Sequence, residues 1–106
     1  MEVSKLESLI KEIAKAYFES FNYLKEIKQR SLSNGKEDID SPLYRYYLDV
    51  ELAYYRLNKE YRSIINNEFF YQRYKEWWKE TYSPSVFNIK KKEAMKLFLE
   101  AFYEIH

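Results

Sequence analysis

The residue types and spacings that could do chemistry are concentrated between Ser83 and Lys96, in the stretch Ser83-Pro84-Ser85-Val86-Phe87-Asn88-Ile89-Lys90-Lys91-Lys92-Glu93-Ala94-Met95-Lys96. Hydroxyl and amide side chains there (Ser83, Ser85, Asn88) can exchange hydrogen bonds with base edges. Lys90, Lys91, Lys92 and Lys96 can neutralise phosphates, and Ile89 offers an apolar contact. The chemistry predicted is contact with double-stranded DNA, with no covalent step. It requires a helix that packs on one side and is open on the other.

The same stretch supplies that helix. Ser83 is a good N-cap, because its hydroxyl can accept from an orphan backbone N–H, and Pro84 suits a first helical position where no N–H is needed. With Phe87 inward and a step of ~100° per residue, Ala94, Phe98, Ala101 and Ile105 fall on the packed side. Ser85, Ile89, Lys92 and Lys96 point outward and Asn88 sits at the margin. A simpler reading of Lys90-Lys91-Lys92 is a solvated charge run. Coding bias adds weight to it, since Phe, Tyr, Met, Ile, Asn and Lys number 48 against 13 for Gly, Ala, Arg and Pro, the mark of an AT-rich genome.

Charge locates any basic site. The chain carries 18 Lys+Arg and 17 Asp+Glu, a formal net charge of +1, so no global field draws it onto a polyanion. Residues 73–96, however, hold seven Lys and Arg against three Glu, whereas residues 37–60 hold three against six acidic residues. The basic end is the end with the capped helix.

Other chemistries are poorly served. There is no cysteine, and the one histidine, His106, is the last residue, so thiolate zinc sites and histidine-based catalysis have no ligands or base. No glycine-rich phosphate loop is present, and Glu37-Asp38-Ile39-Asp40 lacks the spacing of a calcium loop. No catalytic residues, metal site or cofactor are therefore expected, and the chain is read as a non-enzyme. Neither a signal sequence nor a membrane-spanning run is apparent, which predicts a cytoplasmic protein without membrane contact.

The elements follow from periodicity. Leu6, Ile10, Ile13, Tyr17, Phe21, Leu24 and Ile27 predict a helix over about 3–30, and Ser31 to Asp40 reads as a loop ending in a second cap, Ser41-Pro42. Leu43, Tyr47, Val50, Tyr54, Leu57, Tyr61 and Ile64 predict a second helix over about 42–66, packed on two sides. Asn66-Asn67 then breaks it and Phe69-Phe70-Tyr71 plugs the corner. A short helix over about 72–81 carries Trp77 and Trp78, one inward and one partly exposed, and the last helix covers about 84–105. The prediction is an all-α, four-helix single domain over 1–106, with a C-terminal helix-turn-helix over about 68–98.

Residues Leu57 to Phe98 resemble the C-terminal helix-turn-helix of region 4 of bacterial sigma factors, and the whole chain resembles the ArpU-type phage transcriptional regulators of low-GC Gram-positive bacteria. The likeness rests on Leu57-Asn58-Lys59-Glu60-Tyr61-Arg62-Ser63-Ile64-Ile65, on Trp77-Trp78, and on Ser83-Pro84-Ser85-Val86-Phe87 leading to Lys90-Lys91-Lys92 and Ala94. The resemblance implies a transcription regulator with Ser83, Ser85, Asn88 and Lys92 facing DNA and Phe87, Ala94 and Phe98 in the core. It departs from the family at Asn88-Ile89, where an arginine is often found.

A second reading keeps the scaffold and drops DNA: a helical protein-interaction module whose partner is RNA polymerase or a copy of itself. The first helix is the candidate homodimer surface, although its stripe could equally pack on the second helix. Tyr46, Tyr71 and Tyr74 are expected to be exposed, where they could stack on single-stranded bases. Coding bias and partial burial account for them more simply.

Overall fold

A computed structural model describes residues 2–34 and 42–106, with side chains for 2–26 and 42–106. It has four α-helices, and among the described residues there is no strand. They are α1 (Val3–Asn34), α2 (Pro42–Tyr55), α3 (Lys59–Ile65) and α4 (Pro84–Ile105), with a π-helical turn, Asn66–Phe70, between α3 and α4. No helix among the described residues is long and apolar enough to cross a membrane.

The first helix runs further than its periodicity predicts, so Ser31 to Asn34 are helical rather than loop. Gly35 to Ser41, with the acidic Glu37, Asp38 and Asp40 and the predicted cap Ser41, lie outside the described residues. Leu6, Ile10, Ile13 and Tyr17 are buried against α2, α4 and the π-helical turn, so the α1 stripe is used within the chain up to Tyr17.

The predicted helix 42–66 is two helices. Its apolar spacing continues across the break, but Asn58 takes an extended conformation (φ −68°, ψ 167°) and its side-chain oxygen accepts from the Tyr61 N–H at 2.8 Å. That cap satisfies an orphan donor at the start of α3, so a new axis begins there. Leu57 is buried at the corner and α3 packs along α4. At Asn66 the chain does not break but widens, the Tyr71 N–H bonding to the Asn66 carbonyl five residues back at 2.9 Å. The wider turn buries Phe69 and brings Phe70 against Tyr17 and Phe98, while Tyr71 stays outside.

Residues 72–81 form a chain of turns, which corrects the predicted short helix and removes the first helix of the expected helix-turn-helix. Glu76 carries the left-handed φ of 65°, a conformation that ends any right-handed helix locally. Lys79 then bonds back to Glu76 by backbone and by a 2.7 Å ion pair, and Tyr82 to the Trp78 carbonyl at 2.9 Å. The final helix begins where predicted, with the Ser83 hydroxyl accepting from the Val86 N–H at 3.4 Å and Pro84 at its first position. Phe87, Ala94, Phe98 and Ala101 are buried as the ~100° step requires, and Ile105 is half-buried.

Candidate nucleic-acid interface

The start of α4 is held by aromatic rings on a turn segment. Phe87 is buried, with the Trp78 ring stacked parallel to it at 4.5 Å and the Trp77 ring edge-on at 5.8 Å; Tyr82 is tilted against it at 5.8 Å. A helix through 72–81 would set the two tryptophans ~100° apart and send one away. The turn lets both half-buried indoles meet the same ring. The arrangement has a cost, because the Trp77 Nε1–H is buried without a hydrogen-bond partner among the described residues.

With Phe87 fixed, the opposite face of α4 is open. Ser85, Ile89, Lys92 and Lys96 are exposed at steps of four, three and four and form one ridge, on which Ile89 is 68% exposed. Neither Lys92 nor Lys96 makes an ion pair among the described residues. Ser83 is exposed at the cap; its oxygen is taken by Val86, which leaves its proton free to donate.

Lys90 and Lys91 lie off this ridge. The Lys90 ammonium lies 2.9 Å from the Glu60 carboxylate, whose other oxygen accepts from the Tyr82 hydroxyl at 2.8 Å. Those two partners hold the Glu60 carboxyl below its ordinary pKa. Lys91 reaches Glu7 of α1 at 3.0 Å and Glu68 of the π-helical turn at 3.8 Å, with its ammonium 5.7 Å over the Phe69 ring. Three consecutive lysines ~100° apart thus point to α3, to α1 and to solvent.

Asn88 faces a different neighbourhood. It lines a cavity of about 460 Å³ between α4 and the 67–78 chain, together with Gln72, Arg73, Lys75 and Lys91. Arg73 and Lys75 were not singled out from sequence as site residues; the only signal for them was the excess of basic residues over 73–96. Both are exposed, and they place cations beside the amide that the α4 ridge lacks. Of the tyrosines read as exposed, Tyr71 and Tyr74 are, whereas Tyr46 is half-buried against Phe102 and His106.

Carboxylates share both neighbourhoods: Glu93 is exposed on α4 between Lys92 and Lys96, and Glu68 and Glu76 line the cavity beside Asn88. On α4, Glu100 and Glu104 follow the lysines, with Glu104 paired to Arg56 at 3.2 Å. The exposed charge of α4 is thus mixed over Lys92, Glu93 and Lys96 and acidic towards Ile105. Comparison with protein-family models, curated proteins and solved structures yields no match to this chain.

Proposed function

We propose that this chain binds duplex DNA through the first four turns of α4, with Ser85, Asn88 and Ile89 towards base edges and Lys92 and Lys96 towards phosphates. The observation that carries this reading is the α4 ridge: two lysines that make no ion pair among the described residues, in register with Ser85 and Ile89, on a helix whose other face is fixed by Phe87. Arg73 and Lys75 extend the basic surface beyond what the sequence suggested. Lys90 and Lys91, committed to Glu60, Glu7 and Glu68, contribute structure more than binding.

A role in transcription, in a bacterial cytoplasm, rests on the resemblance to ArpU-type regulators and sigma region 4, and RNA polymerase is the partner that resemblance suggests. Because residues 72–81 are turns, the proposal depends on the α4 ridge and not on a paired helix. Retention on immobilised duplex DNA at low salt tests it. Wild type should be retained, and Lys92→Glu with Lys96→Glu should pass through.

One observation favours the second reading, a protein-interaction module. Val86, Ile89 and Leu97 are exposed on the same side of α4, and two of the four lysines are used internally. A ridge with apolar side chains between its charges also suits a helical partner. Failure of wild type to be retained on DNA would transfer the assignment to that reading.

A further inference from the structure

A cleft of about 320 Å³ opens between α1, α2 and the π-helical turn, and none of its lining residues belongs to α4. Its walls are largely rings: Tyr17 and Phe21 from α1, Tyr47 and Tyr54 from α2, Phe70 and Tyr71 beyond α3. They differ in orientation. Tyr17 and Tyr47 stack on one another at 5.1 Å and 10°, and Phe70 meets Tyr17 at 86°, so the wall is a packed aromatic cluster with rings set at different angles.

Among these rings lies one carboxylate. Glu51 is half-buried and accepts from the Tyr17 hydroxyl at 2.5 Å. No Lys, Arg or His among the described residues forms an ion pair with it. Burial and Glu51 together push the Tyr17 hydroxyl well above its ordinary pKa, and burial does the same for Tyr47, so both remain neutral donors. Among the described residues that line it, the cleft thus holds one carboxylate, without a cationic partner, within an aromatic wall.

We infer that this cleft binds a small organic cation, a quaternary or N-methylated ammonium of the choline type, with aromatic side chains around the methyl groups and Glu51 balancing the charge. The electrostatics select for it. Aromatic faces attract a cation and carry apolar surface for its methyl groups, whereas an anion meets repulsion from both rings and carboxylate. A metal ion would find one carboxylate, too few oxygens to replace its hydration shell. The volume is at the small end of ligand sites, which suits a compact head group. Arg62, which does not line the cleft, sits 5.5 Å over the ring of the lining residue Tyr55.

The test is ligand-observed NMR on the full chain with tetramethylammonium, choline and the neutral carbon isostere of choline, dimethylbutanol. Both cations should show saturation transfer and upfield-shifted methyl protons, with a Kd on the order of 1 mM, and the isostere should bind at least about tenfold more weakly. Glu51→Gln keeps an acceptor for the Tyr17 hydroxyl and removes the charge, and should weaken both cations about tenfold. Tyr47→Leu should also weaken them; if that variant melts early, the isostere and Glu51→Gln still decide. Absence of binding by both cations, equal binding of the isostere, or unchanged affinity in Glu51→Gln would each overturn the inference. DNA retention is independent of all three outcomes.

Discussion

The Trp78 indole lies parallel to the Phe87 ring, 4.5 Å between centroids and 7° between planes, and so couples an irregular turn to the packed face of α4. Removing the Phe87 ring takes the shared surface from both tryptophans and from Tyr82. Phe87→Ala should cost about 3–5 kcal/mol in denaturant unfolding and shift tryptophan emission to the red. Ala94→Leu, at a fully buried position, should cost about 1–3 kcal/mol by overpacking while leaving the emission nearly unchanged.

Charge reversal along the lysine triplet should separate stability from binding. Lys91→Glu sets a third carboxylate beside Glu7 and Glu68 and should lower the melting temperature, because partly buried like charges are poorly screened. Lys92→Glu, on the exposed ridge, should leave the melting temperature within a degree or two, about what exposed charges contribute. Thermal melts of the two variants side by side check this directly.

At the other end of α4 the histidine that looked chemically idle has a structural partner. The His106 Nδ1 is 2.8 Å from Asp49, a carboxylate only 4% exposed, and its ring stacks on Phe102 at 4.9 Å. His106→Ala leaves that carboxylate buried with its hydrogen bond gone and should cost about 1–3 kcal/mol. Asp49→Asn should rescue much of the loss in the His106→Ala background. Urea melts of the four-member cycle measure the coupling.

Alkaline pH should unfold the protein in a defined window. Tyr61, beside the Glu93 carboxylate, is pushed up to about 12 from its ordinary 10.0, and Tyr17, Tyr46, Tyr47, Tyr54 and Tyr82 are also raised, chiefly by burial. A raised folded-state pKa means the unfolded chain loses its proton first. The stability Tyr61 contributes is therefore complete below about pH 10 and is lost as pH rises through about 12, and the other raised tyrosines act in the same direction. Tyr61→Phe should lessen the drop in melting temperature between those values.

Much of this arrangement is legible in the sequence where one rule acts alone. The ~100° step and the Ser83-Pro84 cap give α4 its limits and its buried residues, because cap, proline and stripe all agree there. They disagree at Asn58, where an unbroken apolar spacing hides a capping asparagine that redirects the chain. They fail at Trp77-Trp78, where helical periodicity is no guide because Glu76 leaves the right-handed region. The division of Lys90, Lys91 and Lys92 among three directions depends on Glu60, Glu7 and Glu68, whose approach is set by tertiary packing. Arg73 and Lys75 join Asn88 for the same reason: a turn has no period from which to read their direction.

A second consequence of the Glu76 conformation is testable in the fold itself. Glycine adopts a left-handed φ without the steric cost that a β-carbon brings, and the Lys79 ion pair lost on replacement is exposed. Glu76→Gly should therefore match or exceed the wild-type melting temperature. A marked decrease would mean that the turn holding Trp77 and Trp78 depends on the glutamate side chain.

The most direct measurement of the central claim is a fluorescence-anisotropy titration of a random duplex and a selected duplex at several salt concentrations. Lys92 and Lys96 alone predict a log–log salt slope of about −2, and engagement of Arg73 and Lys75 as well steepens it to about −4. Lys92→Glu with Lys96→Glu should abolish binding to both duplexes. Ser85→Ala with Asn88→Ala should leave the random duplex bound and narrow the gap between the two. Wild-type protein that binds neither duplex at low salt, or binds with a slope that the Lys92 and Lys96 reversals do not change, would contradict the account.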